Sequence, residues 1–427
     1  MEREYIPRVA DQTLEDKLDA LGAVLIEGPK YCGKTMLACQ HAKSTLFMAD
    51  PETRTQNLLL AQNNISRLLQ GDTPRLIDEW QLAPEFWDAV RGEVDKRGED
   101  GQFILTGSAV PADTKNIFHS GAGRMAWLRL HTMSLWESGD SSGDVSLKDL
   151  FGENKKIDGA GKIEDIDRLA FIACRGGWPK SILKDKRKSA LVQAEEYFES
   201  VVQSDISRAD NVERNPELAR RLMRSFARNQ GYQTPVSSFL ADVNTHTGSQ
   251  TSEQTVASYL NALKKIFVIE DVAAWNPNLR SRTAIRTSDT RYFTDPSIAT
   301  AALGLGPEDL VNDLATFGLI LETLCIRDLR VYSEPIRGTV YHYRDKNGLE
   351  CDAVVHLKNG SYGLVEIKLG GKMLIEEGAQ SLKRLADKID TSKMKAPSFL
   401  MVLTGLGQYA YQRPDGICVV PAGCLKP

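Results

Sequence analysis

A short apolar run, Ala23-Val24-Leu25-Ile26, ends in Glu27 and feeds directly into Gly28-Pro29-Lys30-Tyr31-Cys32-Gly33-Lys34-Thr35, followed by the helix-forming Met36-Leu37-Ala38-Cys39-Gln40. Strand, glycine-rich loop and helix in that order match the phosphate-binding loop pattern in the context that confirms it. The spacing follows from chemistry. Glycines let the main chain wrap closely, successive N–H groups and the helix start face an anion, Lys34 reaches the β and γ oxygens, and Thr35 offers its hydroxyl to Mg2+. Gly28, Pro29, Lys30, Tyr31, Cys32, Gly33, Lys34 and Thr35 are therefore the expected nucleotide-contacting residues, with ATP and Mg2+ as ligands.

Hydrolysis also requires a carboxylate for the metal and a group that orients water. Arg75-Leu76-Ile77-Asp78-Glu79 ends a second apolar strand with both. Asp78 is the expected metal-binding carboxylate and Glu79 the water-orienting one. A third strand, Phe103-Ile104-Leu105, runs into Thr106-Gly107-Ser108, where Ser108 is placed to sense the γ-phosphate. Three apolar strands each ending in polar chemistry predict a parallel α/β sheet with its ligand at the carboxyl ends. Arg124, after Gly121-Ala122-Gly123, is a candidate arginine finger, with a surface arginine as the other reading. In trans it would imply a ring or other homo-oligomer; in cis a monomer suffices.

Composition bounds the remainder. A chain of 427 residues, 42% hydrophobic and 26% charged, is that of an ordinary globular protein with several cores. No apolar run approaches the roughly 18 residues that span a bilayer, so no membrane association is expected. The N-terminal Met-Glu-Arg-Glu-Tyr lacks a secretory apolar region, and the seven cysteines are scattered without metal spacing; a reducing cytoplasm is expected. Formal net charge is −4, yet Phe317 to Pro427 holds 15 Lys+Arg against 12 Asp+Glu. Two clusters, Arg214/Arg220/Arg221/Arg224/Arg228 and Arg280/Arg282/Arg286/Arg291, read either as phosphate-contacting faces or as solvated ones.

The phosphate loop, Ile77-Asp78-Glu79-Trp80-Gln81, Ile104-Leu105-Thr106-Gly107-Ser108, Gly123-Arg124 and Gly176-Gly177-Trp178-Pro179 together resemble the prokaryotic AAA-type ATPases that carry a DUF4143 C-terminal region. The resemblance covers nearly the whole chain and implies ATP binding with Mg2+, hydrolysis and a cytoplasmic location. Tyr31-Cys32 departs from the usual Gln-Val, at positions that contribute backbone. In related ATPases a similar glycine-proline corner lies near the nucleotide base; Trp178-Pro179 reads that way or as a structural helix corner.

Between Arg214 and Asp295 the expected order is helix, helix, helix, strand, loop, strand, the outline of a winged helix with Thr251 to Lys265 as recognition helix and the arginine-rich segment as wing. That helix begins with Ser, Glu and Gln, so DNA binding stands level with a protein-protein or intramolecular role. From Phe317 on, a helix carrying Glu322, three strands, a helix and a strand, with Asp352 and Glu366-Ile367-Lys368, resemble the PD-(D/E)xK nuclease superfamily. Glu366 and Lys368 share one sheet face. Asp352 and Glu366, with Glu322 from the helix, could ligate Mg2+, and Lys368 would stabilise developing charge. An Asn359-Gly360-Ser361 turn, which sets Asp352 opposite Lys368 on the same face, or a bulge is expected.

The expected architecture is α/β throughout: a P-loop ATPase domain (1–150), a helical lid (151–212), a winged-helix-like domain (213–300) and a nuclease-like domain (301–427). The expected function is an ATP-hydrolysing protein acting on or bound to nucleic acid. The alternative is a nucleotide-dependent switch whose nuclease-like domain docks a protein.

Overall fold

The computed structural model describes residues 5–109, 121–153, 155–245, 251–276 and 288–427. The chain divides into two compact units. One comprises Met1–Thr132, Val201–Asn215 and Tyr259–Val268, and the other Met133–Ser200, Pro216–Ser258 and Ile269–Pro427.

The first unit is built on strands β1 (Ala23–Glu27), β2 (Ser44–Phe47), β3 (Arg75–Asp78), β4 (Phe103–Gly107) and β5 (Met125–Arg129), all parallel, in the order β2-β3-β4-β1-β5. Strand periodicity sends Val24 and Ile26 to one face, where they meet Leu14, Leu18, Leu37 and Leu76. Ala23 and Leu25 face the other side, packed with Ile77, Phe86, Val90 and Phe103. A sheet covered on both faces needs continuous apolar strands, which explains why these runs do not alternate with polar residues. Each fully buried Leu or Ile contributes roughly 1.5–3 kcal/mol. The sheet tolerates no larger residue at Gly22, where a Cβ would lie 2.2 Å from Val94 Cγ1.

In the second unit the strands are β6 (Val145–Ser146), β7 (Gly159–Ala160), β8 (Ile269–Val272), β9 (Thr290–Phe293), β10 (Gly338–Arg344), β11 (Glu350–Leu357), β12 (Tyr362–Lys368), β13 (Phe399–Thr404), β14 (Tyr409–Gln412), β15 (Cys418–Pro421) and β16 (Leu425–Lys426). The main sheet runs β10-β11-β12-β13-β15-β14-β7. β10 to β12 form an antiparallel meander, and the Lys372–Lys388 helix crosses over to parallel β13. Val354, Leu364 and Val402 meet Ala379 and Leu382 of that helix in one core.

The middle segment has the expected order of helices Pro216–Arg228, Val236–Asn244 and Glu253–Lys265 followed by the antiparallel β8–β9 ribbon. Phe226 of the first helix joins the second helix and β9, stacking on Phe239 at 5.8 Å and edge-on to Phe293 at 4.8 Å.

Two expected boundaries move. The ATPase domain does not run to residue 150: Met133 onward belongs to the second unit, where β6 pairs with β16. Nor is 151–212 one lid, since Ile166–Arg175 and Arg187–Ser200 belong to the second unit and Val201–Asn215 to the first. Short strands such as Val145–Ser146 carry too little pattern to reveal partners nearly 300 residues away. Among the described residues no helix is long and apolar enough to cross a membrane.

Candidate functional sites

The loop after β1 closes tightly because its glycines permit it. A Cβ on Gly28 would lie 2.1 Å from the Leu130 carbonyl oxygen, and Gly33 has φ 106°, a conformation L side chains rarely adopt. Lys34 begins the following helix, is 6% exposed, and donates from Nζ to the Gly28 and Pro29 carbonyls at 2.9 and 2.8 Å. Arg8 braces the loop from beneath, donating to the carbonyls of Cys32 and His131 at 2.9 Å each. Pro29, Tyr31 and Cys32 contribute main chain: Cys32 is fully buried, while Tyr31 is 65% exposed with φ 64°. Lys30 instead reaches Asp205.

The strand order brings the remaining groups to this loop. Thr35 Oγ1 donates to Asp78 Oδ1 at 2.7 Å, and Thr106 Oγ1 donates to the same oxygen at 2.6 Å. Glu79 sits at φ 59°, its N–H directed at Thr106 Oγ1, and its Oε2 accepts from Ser108 Oγ at 3.2 Å and from Gln81 Nε2. A non-glycine residue held in left-handed backbone costs of order 1–3 kcal/mol and marks a position the surroundings dictate. Thr35 and Asp78 fit a hard cation, which takes oxygen ligands: a hydroxyl and a carboxylate oxygen stand side by side. Lys34, Thr35, Asp78, Glu79 and Ser108 thus converge as expected. Thr106, Gln81 and Arg8 were missed, although the Thr in Thr106-Gly107-Ser108 was a readable signal.

Arg124 is ruled out as a finger in cis. Its carbonyl accepts from Ala23 N, which places it at the amino ends of the strands, and its guanidinium pairs with Asp95 at 2.7 Å. The loop lies at the carboxyl ends, a five-residue strand or roughly 16 Å away, so Arg124 does not serve this site in cis. The arginine that β5 does deliver to the carboxyl edge is Arg129, beside Glu27 at 3.5 Å and over the Phe267 ring at 4.0 Å.

The second cluster lies in the C-terminal sheet. Ala353 stands opposite Val365, so the same register carries Asp352 opposite Glu366 on one face. The turn is Lys358-Asn359-Gly360, closed by Leu357 N to Ser361 O, not the expected Asn359-Gly360-Ser361, and Asp352 is therefore not opposite Lys368. Both turns keep the shared face, because they differ by two residues in register. Lys368 Nζ lies 2.7 Å from Glu366 Oε2 and 3.7 Å from Asp352 Oδ2, and Asp352 Oδ2 accepts from Ile367 N at 2.7 Å.

Glu322 lies close enough to Asp352, Glu366 and Lys368 to feel their charges, but one of its oxygens is engaged elsewhere. Its Oε1 accepts from Tyr292 OH at 2.6 Å, and among the described residues no three His, Cys, Asp or Glu side chains are grouped to hold a metal ion. Helix periodicity placed Glu322 correctly near the sheet but could not show that β9 would supply a competing phenol.

Burial, and then the Asp352 charge, push both Glu322 and Glu366 up to about 8. In the unfolded chain a glutamate titrates near 4.3. The stability this contributes is therefore present below that value and is lost as pH rises toward 8. Glu322→Gln keeps an acceptor for Tyr292 and removes the ionisation. Its melting temperature relative to wild type should rise by about 2–4 °C or more between pH 5 and pH 9 in chelator, measured calorimetrically; a pH-independent difference would show that Glu322 titrates normally.

Other expected contacts resolve differently. Arg214, Arg220 and Arg228 are paired with Asp210, Glu199 and Asp242, so most of that cluster is neutralised rather than presented to phosphates. Arg280, Arg282 and Arg286, the expected wing, lie outside the described residues. Trp178 is a structural corner: 1% exposed, it donates to Ser297 Oγ at 2.9 Å and packs against the Tyr197 ring, centroids 4.1 Å apart and planes tilted by 34°.

A parallel sheet whose first strand feeds a glycine-rich loop with a buried lysine, and whose third ends in a carboxylate bonded to the loop threonine, defines a nucleotide-binding ATPase domain. Sequence comparison agrees: residues 21–138 match the AAA domain family, 166–309 match a domain of unknown function, DUF8612, and 317–425 match another, DUF4143. Two curated relatives, uncharacterized proteins of Mycobacterium bovis and Mycobacterium tuberculosis, are 24% identical over 367 residues, 84% of this chain and 73% of each of theirs. Among solved structures, the Aeropyrum pernix ORC2 protein aligns over 76% of this chain and 98% of its own at 11% identity and TM-score 0.32. The Pyrococcus furiosus Hef helicase domain aligns over 98% and 94% at 10% identity and TM-score 0.20. Both likenesses are too distant to bear on the fold.

Proposed function

We propose that the first unit binds ATP with Mg2+ and hydrolyses it. The observation that carries this reading is the continuous chain of contacts from Thr35 through Asp78 to Thr106, beside a buried Lys34 and a Glu79 oriented by Ser108 and Gln81. Thr35 and Asp78 would hold Mg2+, which supplies charge neutralisation to the transferring phosphoryl group. Lys34 neutralises further charge on the phosphate oxygens. Glu79 orients the attacking water and accepts its proton.

A second reading concerns the C-terminal sheet. Asp352, Glu366 and Lys368 share a face, and Asp352 and Lys368 retain 19% and 24% side-chain exposure, which supports a metal-assisted, phosphodiester-directed site like that of PD-(D/E)xK nucleases. Nucleic acid is then the partner of this sheet, and residues 213–300, divided between the two units, act as a winged-helix-like module. A cytoplasmic setting accords with seven free thiols. The alternative, a silent protein-docking module, is separated by one experiment. Wild type, Lys34→Ala and Lys368→Ala are compared for ATP turnover and for metal-dependent DNA cleavage. Loss of turnover only in Lys34→Ala and of cleavage in Lys368→Ala supports both assignments. Absence of turnover in wild type defeats the first, and absence of cleavage and DNA binding defeats the second.

A further inference from the structure

Between Gly28 and Gly33 the phosphate loop carries one basic side chain, Lys30. Its ammonium lies 2.5 Å from Asp205 Oδ1, with the lysine side chain 37% exposed and the aspartate 6%. Asp205 closes a π-turn, Val201–Asp205, inserted between the Arg187–Ser200 helix and the short Ile206–Arg208 helix. Such turns hold an extra residue in the helical ladder and recur where a helix must change register.

Immediately beyond, a second set of contacts continues outward. Arg214, 1% exposed, donates to the Ile206 carbonyl at 2.9 Å and forms a bidentate pair with Asp210 at 2.6 and 2.9 Å. Lys265 reaches Asp210 at 3.8 Å, the Arg214 guanidinium lies 5.5 Å over the Tyr259 ring, and Tyr259 OH accepts from Asn215 N at 2.8 Å. The loop, the turn and the last two turns of the Glu253–Lys265 helix are thus joined by charged or charge-assisted contacts, without a gap, inside the first unit.

We infer that Lys30 and Asp205 couple nucleotide at the phosphate loop to the Val201–Asn215 segment and, through Arg214 and Asp210, to the Tyr259–Lys265 half of the third middle helix. The inference rests on the reading that the loop binds ATP. Lys30 rides on the loop main chain, so any adjustment of the loop amides around a polyanion displaces the ammonium that Asp205 holds. Asp205 is a positioning residue here, acting through Lys30 and not on the phosphates.

The test is hydrogen exchange on the full chain with Mg2+ and a non-hydrolysable ATP analogue, with the analogue's Kd measured alongside. In wild type the analogue slows exchange about threefold or more in the loop, in 201–215 and in 259–265. In Asp205→Asn the loop is still protected while protection in 201–215 and 259–265 is lost. Coupling being reciprocal, the Kd then rises by about three- to tenfold. Lys30→Met removes the distant protection equally, and the double variant loses no more than either single one, because both ends of one link are cut. Should one variant fail to fold, the other examines the same contact. Unchanged distant protection in either variant, or wild-type protection confined to the loop, overturns the coupling. Failure of wild type to bind the analogue overturns the ATP reading itself.

Discussion

Lys34→Ala lowers the affinity for a non-hydrolysable ATP analogue in Mg2+ by about 100-fold and removes ATP turnover, while the far-ultraviolet circular dichroism stays that of wild type. The ammonium is nearly sealed from solvent and held over the loop by two carbonyls, so its position is set before any ligand arrives. Charge-assisted bonds are worth roughly 1.5–3 kcal/mol each, and each ~1.4 kcal/mol is tenfold in affinity. Two such bonds to phosphate oxygens more than account for the loss. Calorimetric titration reads it directly; a variant binding within twofold of wild type would remove the loop from the functional account.

Glu79→Gln separates binding from chemistry. Turnover falls by about 100- to 1,000-fold, the range expected for a proton-accepting or water-orienting group, while analogue affinity changes by less than about threefold. The amide is isosteric and keeps an oxygen for the Ser108 hydroxyl, so the left-handed backbone at this position and the Thr106 contact survive. What disappears is the negative charge. A steady-state assay paired with the same titration distinguishes this from general damage: equal losses in both would make Glu79 a structural residue.

How much of this was readable before folding differs between the two sites. At the nucleotide site Lys34, Thr35, Asp78, Glu79 and Ser108 could be named because each sits at a strand end next to a local pattern, and parallel strands bring those ends together whatever their order. Thr106 escaped attention because its role depends on β4 lying between β1 and β3, a neighbour relation that no local pattern records. The cis role open to Arg124 failed for the converse reason. A glycine turn before an apolar run looks the same at either edge of a sheet, and only the parallel pairing of Ala23 with Met125 assigns it to the amino edge. In the C-terminal sheet, period-two alternation correctly put Glu366 and Lys368 on one face. The turn that aligns Asp352 with them was misplaced by one residue, and Glu322, though close enough to feel their charges, has one oxygen engaged by a tyrosine from another segment.

By itself the chain's order of residues determined the kind of elements present and the chemistry at their ends, since helical and strand periodicity, turn glycines and the wrapping of a phosphate loop depend on near neighbours alone. Tertiary structure decided which ends meet. The insertion of β4, the Lys30–Asp205 pair across 175 positions, the Tyr292–Glu322 bond and the return of Val145–Ser146 to Leu425–Lys426 all join residues far apart in sequence. Such contacts are selected by the packing of whole layers, which balances buried area against chain entropy over the entire fold, and that balance leaves no signature in any short window of residues.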